Sequence, residues 1–383
     1  MENNFRLVAP CLFGTESIAA FEFKRMGFEN IITENGRVLL EGDANLLARA
    51  NLCSFFSERI LICVGEFSAA TFTELFDNVK ALPWENFIRK DDAFPVTGWS
   101  ISSALHSIPD CQSIIKKAIV ERLKLKYNIS WFNETGTEIR VKFSIHKDKV
   151  TLMIDTSGEG LHKRGYRRNS NDAPLKETLA ASICDLARIY PDTLLFDPMC
   201  GSGTFLIEAA MMAANMAPGM NRSFLAEEWK NLIPRRAWYD AHDDAASMVD
   251  TKLDLDLQGF DIDGDVVKAA KENAADAEVD HLIHFQKRPV HELRHVKKYG
   301  FIITNPPYGE RIEEKANLPK LYREIGESYA KLDSWSMYMI TSYEDAEKYI
   351  GRKADKNRKI YNGMMKTYLY QFMGPKPPKE NKN

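Results

Sequence analysis

The pattern of apolar positions along the chain changes near its middle. Up to about residue 160, segments that alternate apolar and polar residues are separated by segments with helical spacing, and Asn35-Gly36 marks a hairpin turn. Beyond residue 193, short apolar segments such as LLFD and FIIT alternate with helical ones. Near-continuous apolar strands are typical of a parallel sheet that is covered on both faces. The pattern therefore predicts an α+β amino-terminal half followed by an α/β domain.

The amino-terminal half divides into two units of similar kind. The first, residues 1–64, contains a strand over 5–9 and a helix that ends at Gly27. The second is residues 65–160. Its predicted elements are helices over 71–82 and 110–127, a strand over 94–102, and two alternating strands joined by a turn at Asp148. We expect two small α+β domains in this half.

A polar segment separates this half from the α/β domain. Residues 161–174, LHKRGYRRNSNDAP, are rich in charge, Gly and Asn and poor in apolar residues, which is typical of a linker. Pro174 then opens a predicted helix that extends to Arg188. We therefore assign residues 161–180 to a basic linker and helix, and residues 181–383 to the third domain.

Composition and charge exclude several classes of protein. The 383 residues are 44% hydrophobic and 27% charged, as in ordinary globular proteins, and a formal net charge of -3 excludes a polycation. The six cysteines form no Cys-x-x-Cys pair, which argues against a zinc site or a disulfide framework and favours a reducing cytoplasm. The first residues lack a signal-peptide pattern, and no apolar segment approaches the roughly 18 residues of a membrane span. We expect a cytoplasmic protein.

A glycine-rich turn is the strongest local signal in the α/β domain. In LLFDPMCGSGTFLIEAA a strand ends at Asp197, and Gly201 and Gly203 lead directly into an apolar helix. Glycines at such a turn let the backbone approach a ligand closely, and the helix start offers unpaired N–H groups. Leu206 replaces the third glycine of the dinucleotide motif and no Gly-Lys-Ser/Thr follows, which disfavours NAD and P-loop interpretations.

An acidic strand end follows the glycine turn. Asp261 ends the strand LDLQGFD, where a carboxylate can accept two hydrogen bonds from ribose hydroxyls. The alternative for Asp261 and for its neighbour Asp263 is that they cap the helix that begins near Gly264. The alternative is stronger for Asp263.

The segment FIITNPPYGER carries the most specific chemistry. Pro306 and Pro307 fix the backbone and remove two N–H donors, so the polar groups around Asn305 are mainly hydrogen-bond acceptors. Such a site favours an amine, and Tyr308 can stack on a planar base. A rigid surface turn is the alternative for this tetrapeptide alone, but its place after the glycine turn and the acidic strand end favours a site.

In this order, the three motifs resemble those of the class I methyltransferases that act on exocyclic amino groups. The resemblance implies a Rossmann-like domain with a seven-stranded, mostly parallel sheet, and S-adenosylmethionine as the cofactor. The implied cofactor-binding residues are Asp197, Pro198, Cys200, Gly201, Ser202, Gly203, Thr204, Asp261, Ile262 and Asp263.

The same resemblance implies the catalytic residues and the reaction. Asn305 and the Pro306 carbonyl would hold the target amino group, with Pro307 and Tyr308 completing the site. The implied reaction is in-line displacement, in which the amine nitrogen attacks the methyl carbon of the sulfonium, the carbon–sulfur bond breaks and neutral S-adenosylhomocysteine leaves. Positioning supplies most of the rate. Many relatives carry an Asp that contacts adenine where this sequence has Arg288 or Pro289, which leaves the adenine contact open.

We expect no metal. The histidines of the catalytic half are scattered and are better explained as surface or strand residues than as ligands. They are His281, His284, His291 and His295.

The amino-terminal half bears on the substrate. The stretch over 99–127, the strand pair that follows it and LHKRGYR resemble a THUMP domain, which binds RNA, and the opening FRLVAPCLFGTE resembles a ferredoxin-like unit. Together with APLKETLAA and NPPYGER, they resemble the bacterial YpsC and RlmL group over essentially the whole chain. The resemblance implies methylation of guanine N2 in 23S ribosomal RNA. A related branch acts on guanine in transfer RNA.

Basic residues on one helix and in the linker are candidates for RNA contact, because cations interleaved with an aromatic side chain can pair phosphates and stack bases. A solvated charged face is the alternative. The candidates are Lys116, Lys117, Lys163, Arg164, Tyr166, Arg167 and Arg168.

Two functions from other classes compete with this interpretation. A DNA amino-methyltransferase would share the catalytic motifs but should carry a target-recognition domain in place of the THUMP-like half. A non-catalytic RNA-binding protein would not need Asn305 and Asp261. The sequence leaves the modified nucleotide and the oligomeric state open.

Overall fold

A computed structural model describes residues 4–167, 175–188, 194–309, 312–363 and 365–377. The chain forms two compact units. Unit 1 comprises Met1–Cys11, Ala19–Leu161 and Ser223–Asp244, and unit 2 comprises Leu12–Ile18, His162–Arg222 and Ala245–Asn383.

Helices and strands alternate along most of the chain. In order, they are β1 (Phe5–Pro10), α1 (Glu16–Arg25), β2 (Ile31–Glu34), β3 (Arg37–Gly42), α2 (Ala44–Cys53), β4 (Leu61–Ser68), α3 (Phe72–Ala81), β5 (Val96–Ile101), α4 (Ile108–Tyr127), β6 (Val141–His146), β7 (Lys149–Asp155), α5 (Glu177–Ala187), β8 (Leu195–Asp197), α6 (Thr204–Ala213), α7 (Arg235–Ser247), β9 (Leu257–Asp261), α8 (Gly264–Asp276), β10 (Ile283–Lys287), β11 (Phe301–Thr304), α9 (Ile312–Ala330), β12 (Ser336–Thr341), α10 (Ala346–Ile350), β13 (Lys356–Asn362) and β14 (Met365–Phe372).

Unit 1 is built on one seven-stranded sheet in the order β2-β3-β1-β4-β7-β6-β5. The first three strands in this order lie within residues 1–64, and the last three lie within residues 65–160. Strand β4 joins these two groups, pairing with β1 on one side and β7 on the other. The predicted boundary at residue 64 therefore falls inside a strand that the sequence pattern did not reveal.

Gly65 explains why β4 was missed. The register between β4 and β7 shifts between Cys63 and Gly65, so the apolar alternation breaks in mid-strand. A Cβ at Gly65 would lie 2.6 Å from Leu82 Cδ2, so the glycine also permits a close approach.

Unit 2 is built on the second sheet, in the order β10-β9-β8-β11-β12-β14-β13. The five strands from β10 to β12 are parallel to one another, and β14 and β13 run antiparallel. This confirms the expected seven-stranded, mostly parallel sheet. Brought side by side, β8 and β11 place the glycine turn and residues 305–308 at the same edge of the sheet.

Residues 223–244 lie within the predicted third domain, yet they belong to unit 1. The Ala226 amide donates to the Thr156 carbonyl at 3.0 Å, and Trp229 Nε1 donates to the Glu138 carbonyl at 2.9 Å. This segment therefore completes the packing of the amino-terminal unit.

The helix that was expected to open at Pro174 begins at Glu177 in the structure, and Pro174 lies outside the described residues. In the part of the chain that the structure describes, no helix has the length and apolar content needed to cross a membrane.

Candidate active site

Two glycines shape the turn after β8. Gly201 has φ +52° and Gly203 has φ +82°, in the left-handed region that favours glycine. The Gly203 amide donates to the Cys200 carbonyl at 2.8 Å, which closes the turn. A Cβ at Gly203 would lie 3.0 Å from Phe285 Cζ, whereas a Cβ at Gly201 would meet nothing within 4 Å. The turn is thus packed against the protein at Gly203 and open at Gly201.

Asp261, at the end of β9, holds this turn. Its Oδ2 accepts a hydrogen bond from the Gly201 amide at 3.1 Å, and its Oδ1 accepts one from the Asp263 amide at 3.1 Å. A carboxylate has about four acceptor positions, so capacity remains for ribose hydroxyls. Burial raises the pKa of Asp261, against these hydrogen bonds.

The two residues after Asp261 differ in character. The Asp263 side chain accepts from the Asp265 amide at 2.9 Å and caps α8, as the alternative for this residue anticipated. The Ile262 side chain is 70% exposed. It presents an apolar surface next to the acidic strand end.

Asp197, at the end of β8, is buried. Burial raises its pKa to about 8, while a hydrogen bond from the Met199 amide to Oδ1, at 3.2 Å, acts in the opposite direction. A carboxyl group in this state ionises readily when a cation approaches, because the opposite charge favours the carboxylate.

The Asn-Pro-Pro-Tyr segment follows β11. Asn305 Oδ1 is buried and accepts no hydrogen bond from any described residue. An unsatisfied buried acceptor costs roughly 1–3 kcal/mol, and such atoms in native proteins usually have a functional reason. Pro306 is buried and Pro307 is exposed. The segment therefore contains a hydrogen-bond acceptor, Asn305 Oδ1, for which a bound substrate could supply the donor.

Tyr322 on α9 is a residue of the site that the sequence did not reveal. Its hydroxyl donates to the Pro307 carbonyl at 3.3 Å and shares a hydrogen bond with Thr341 Oγ1 at 2.6 Å. Burial raises the pKa of Tyr322 above its usual range. This neutral hydroxyl ties the segment to the end of β12.

Asn273 on α8 was also missed. It is buried, and its Nδ2 donates to the Ser202 carbonyl at 3.0 Å, which fixes the glycine turn from the side of the following helix. Ser202 Oγ in turn lies 3.1 Å from Thr204 Oγ1.

Comparison with known proteins agrees with this geometry. Residues 164–371 match the family model of the RMKL-like methyltransferase domain, residues 69–155 that of the THUMP domain, and residues 6–61 that of the RlmL ferredoxin-like domain. The chain belongs to the RMKL-like methyltransferase family.

Curated relatives extend over nearly the whole chain. The putative RNA methyltransferase YpsC of Bacillus subtilis is 43% identical over 380 residues, which is 99% of this chain and 98% of that protein. The ribosomal RNA large subunit methyltransferase K/L of Cellvibrio japonicus is 33% identical over 95% of this chain. This chain covers 50% of the length of that relative.

Solved structures share the fold. A possible methylase from Clostridium difficile 630 is 46% identical, with a TM-score of 0.94 over 98% of this chain and 100% of that one. A predicted N6-adenine-specific DNA methylase from Listeria monocytogenes is 46% identical, with a TM-score of 0.91 over 97% of both chains. A putative methyltransferase complexed with SAH is 41% identical, with a TM-score of 0.90 over 98% and 100% of the two chains.

S-adenosylmethionine is the cofactor of this methyltransferase family member. The residues present fit it, because an open turn at Gly201 adjoins a carboxylate with spare acceptor capacity and a buried Asp197 that favours a cation. The assignment of individual residues to the cofactor, at positions 197, 198, 200–204 and 261–263, remains a prediction. Among the described residues, no group of three or more His, Cys, Asp or Glu side chains could hold a metal ion.

Arg288 is one of the two residues, with Pro289, that the sequence places near the expected adenine contact. Its guanidinium is 4.6 Å from the centre of the Phe260 ring, and its Nη2 donates to Gln286 Oε1 at 3.1 Å. The Arg288 amide donates to the Asp261 carbonyl at 2.8 Å. Its side chain is thereby held against the strand ends beside the glycine turn.

The structure corrects the expectation for the linker. Arg164 and Tyr166 are buried, and both bind Glu208 on α6: Arg164 Nη2 lies 3.1 Å from Oε2, and the Tyr166 hydroxyl donates to Oε1 at 3.0 Å. These side chains stabilise unit 2 and are not available to RNA. Burial raises the pKa of the Tyr166 hydroxyl well above its usual range, so it stays neutral.

Arg167 also makes intramolecular contacts. Its Nη2 donates to Thr204 Oγ1 at 2.5 Å and to the Leu175 carbonyl at 3.2 Å, and its Nε lies 3.4 Å from Glu177 Oε1. The side chain is only 10% exposed. The linker thus contacts the first residue of α6, directly after the glycine turn.

The remaining candidate RNA contacts differ from one another. Lys116 Nζ on α4 lies 3.4 Å from the centre of the Phe94 ring and 2.7 Å from Glu134 Oε1, so this side chain makes contacts within unit 1. Lys117 and Lys163 are not buried and remain candidates. Arg168 lies outside the described residues.

Proposed function

We propose that this protein transfers a methyl group from S-adenosylmethionine to the exocyclic N2 amino group of a guanine in 23S ribosomal RNA. One observation carries the proposal: the buried, unsatisfied Asn305 Oδ1 lies at the end of β11, on the strand next to the cofactor turn. An amino group of a base supplies the donor that this atom lacks.

The site suits an amine that is a weak nucleophile. The lone pair of an aromatic amine is delocalised, so hydrogen bonds from its N–H groups to Asn305 Oδ1 and the Pro306 carbonyl would orient the nitrogen. Tyr322 keeps the adjacent Pro307 carbonyl engaged and fixes the segment. Bound S-adenosylmethionine supplies an electrophilic methyl carbon. The protein contributes position and a preorganised set of acceptors.

Two lines of support favour RNA over DNA. The chain has a THUMP domain, and curated relatives over most of its length are named as RNA methyltransferases. The choice of 23S RNA follows the name of the K/L relatives. The choice of guanine N2 rests on the family resemblance of the sequence motifs.

Product analysis tests the proposal. Purified protein is incubated with labelled S-adenosylmethionine and, in parallel, 23S ribosomal RNA lacking the modification, transfer RNA and duplex DNA, and the products are digested to nucleosides for mass spectrometry. We expect N2-methylguanosine in the 23S arm. Methyladenine in the DNA arm, the reaction for which the Listeria relative is named, would overturn the proposal, as would label confined to transfer RNA.

A further inference from the structure

The carboxy-terminal hairpin carries an unusual arrangement of lysine and tyrosine. Lys359 pairs with Tyr368 and Tyr361 pairs with Lys366 across β13 and β14. Residues two apart in a strand share a face, so these four side chains lie on one face and alternate in type both along and across the strands. We call them the Lys-Tyr surface.

Each lysine of this surface lies over a tyrosine of its own strand. Lys359 Nζ is 5.1 Å from the centre of the Tyr361 ring, and Lys366 Nζ is 5.0 Å from that of Tyr368. Both lysines are exposed, and Tyr361 is 40% exposed. The surface therefore offers cations and aromatic rings to solvent together.

The Lys-Tyr surface is connected to the catalytic segment. Tyr368 is the strand partner of Thr341, the last residue of β12, whose hydroxyl bonds to Tyr322. Tyr322 donates to the Pro307 carbonyl. Thr341 and Tyr322 thus link the surface to the segment 305–308.

A second group of aromatic and basic side chains adjoins this connection. Tyr343 lies 4.9 Å from Tyr322 between ring centres and stacks on Tyr349 at 6.1 Å and 11°. Arg323 and Lys348 lie over the Tyr349 ring at 5.3 and 5.0 Å. Cations and tyrosines therefore continue from the hairpin towards α9 and α10.

The charged side chains of the hairpin are all positive. Residues 356–372 contain four lysines and arginines and no carboxylate. Glu344 is the nearby acidic group that acts on Lys366. Basic residues interleaved with exposed aromatic rings bind unpaired nucleic acid, since the rings stack on bases and the cations pair with phosphates.

We propose that the Lys-Tyr surface binds the unpaired RNA strand next to the target nucleotide and so fixes which base enters the site. The inference rests on the protein being an RNA methyltransferase. It gives unit 2 an RNA-binding surface of its own, separate from the THUMP domain. A base removed from its stack needs its neighbours held, because unstacking costs a few kcal/mol.

Protection of an edge strand is the competing explanation. β13 is the last strand of the sheet, and lysines on an edge strand prevent it from pairing with another molecule. Lys356 and Arg358, on the same strand, would serve that purpose equally well, and both are exposed. They provide a control with the same loss of charge.

The experiment compares two double variants of the full-length protein, Lys359→Ala with Lys366→Ala and Lys356→Ala with Arg358→Ala. Binding to a 23S RNA transcript is measured by filter retention over a range of salt concentrations. Loss of two single-strand phosphate contacts should make the negative slope of log affinity against log salt shallower by about 1.4 in the first variant. The control variant should keep the slope of the wild type.

The rings are tested separately. Tyr361→Ala should weaken RNA binding roughly fivefold or more, and Tyr361→Phe should restore it, because stacking needs the ring and not the hydroxyl. The KM for RNA should rise while the single-turnover rate at saturating RNA is unchanged. Unaltered affinity for S-adenosylhomocysteine shows that the variants are folded, and lysine-to-glutamine versions replace any that are not.

Equal losses in the two double variants, or no loss in the first, would overturn the proposal. The outcome is separable from that of the proposed function. If the wild type methylates a base other than guanine while the binding differences hold, the function is wrong and the surface is right. If guanine N2 is methylated and the two double variants behave alike, the reverse is true.

Discussion

Asn305 carries the clearest chemical demand in the molecule, a buried acceptor with no donor among the described residues. We expect Asn305→Ala to lower the methyl-transfer rate at saturating substrate by roughly a hundredfold or more, as removal of one preorganised hydrogen-bonding group does in other enzymes. The cofactor affinity should stay within about threefold of the wild type, since Asn305 is assigned to the target base. Single-turnover rates and calorimetric titration measure the two quantities. A rise in KM with the rate preserved would contradict the role assigned to it.

Asp197 predicts a pH dependence of cofactor binding. Its pKa in the folded protein is raised to about 8, so the carboxyl group carries a proton at neutral pH that it must release when a sulfonium binds nearby. We expect the apparent affinity for S-adenosylmethionine to rise by up to about tenfold per pH unit between about pH 6 and pH 8 and to level off above. Titration in buffers of different ionisation enthalpy measures the released proton.

The control for this prediction is Asp197→Asn, which has no titrating group and should remove most of that pH dependence. The same raised pKa means that the folded protein holds this proton more tightly than the unfolded chain, whose carboxyl ionises near 3.8. The contribution of Asp197 to stability is therefore fully present below that pH and is lost progressively as the pH rises to about 8. If the affinity of Asp197→Asn for S-adenosylmethionine had the same pH profile as that of the wild type, Asp197 would be excluded as the titrating group.

The linker is the element whose role changed most between sequence and structure. Arg164 is paired with Glu208 in the interior of unit 2, and breaking a buried pair leaves an uncompensated charge that costs about 3–5 kcal/mol. We expect Arg164→Ala to lower the free energy of unfolding by about this amount, measured by denaturant titration. Lys271→Ala, at an exposed position on α8 of the same unit, loses the same charge and should stay within about 0.5 kcal/mol of the wild type. Equal effects would indicate that the pair contributes little.

The elements of the site that were predicted from sequence are those whose geometry is local. Gly203 permits a left-handed backbone and the two prolines restrict theirs, and both properties belong to the residue itself, so the turn and the segment after β11 could be located directly. Tyr322 and Asn273 act on groups 15 and 71 residues away, and only the fold brings them there. Glu208, an isolated carboxylate in the apolar sequence TFLIEAA, was the signal that could have indicated a buried basic partner in the linker.

The same distinction holds for strands. The parallel strands of unit 2 are short apolar runs and were recognised, whereas β13, with the sequence KNRKIYN, is an exposed edge strand and lacks an apolar pattern. β13 is a strand because it pairs with β14, and its own sequence does not indicate this pairing. β4 escaped because Gly65 breaks its alternation.

For the whole molecule, the main departure from the expected organisation is that unit 1 is discontinuous in sequence. Trp229 is nearly fully buried and hydrogen-bonded to the Glu138 carbonyl. We expect Trp229→Ala to destabilise unit 1 by about 3–5 kcal/mol, with the affinity for S-adenosylhomocysteine preserved because the cofactor turn belongs to unit 2. Hydrogen exchange of β6 and β7 amides reports the loss locally. Trp131→Ala, 78% exposed in the same unit, is the matched control and should leave exchange unchanged.

The discontinuity of unit 1 also sets an order of events on the ribosome. A nascent chain usually folds its amino-terminal domain first, as soon as the last residue of that domain has emerged. Here that residue is Asp244, so the RNA-binding module cannot be finished until the glycine turn at 201–203 has already been synthesised. A chain truncated before residue 223 would therefore contain neither a complete THUMP-bearing unit nor a complete methyltransferase unit. During translation, the THUMP-bearing unit is completed only after the glycine turn has been synthesised.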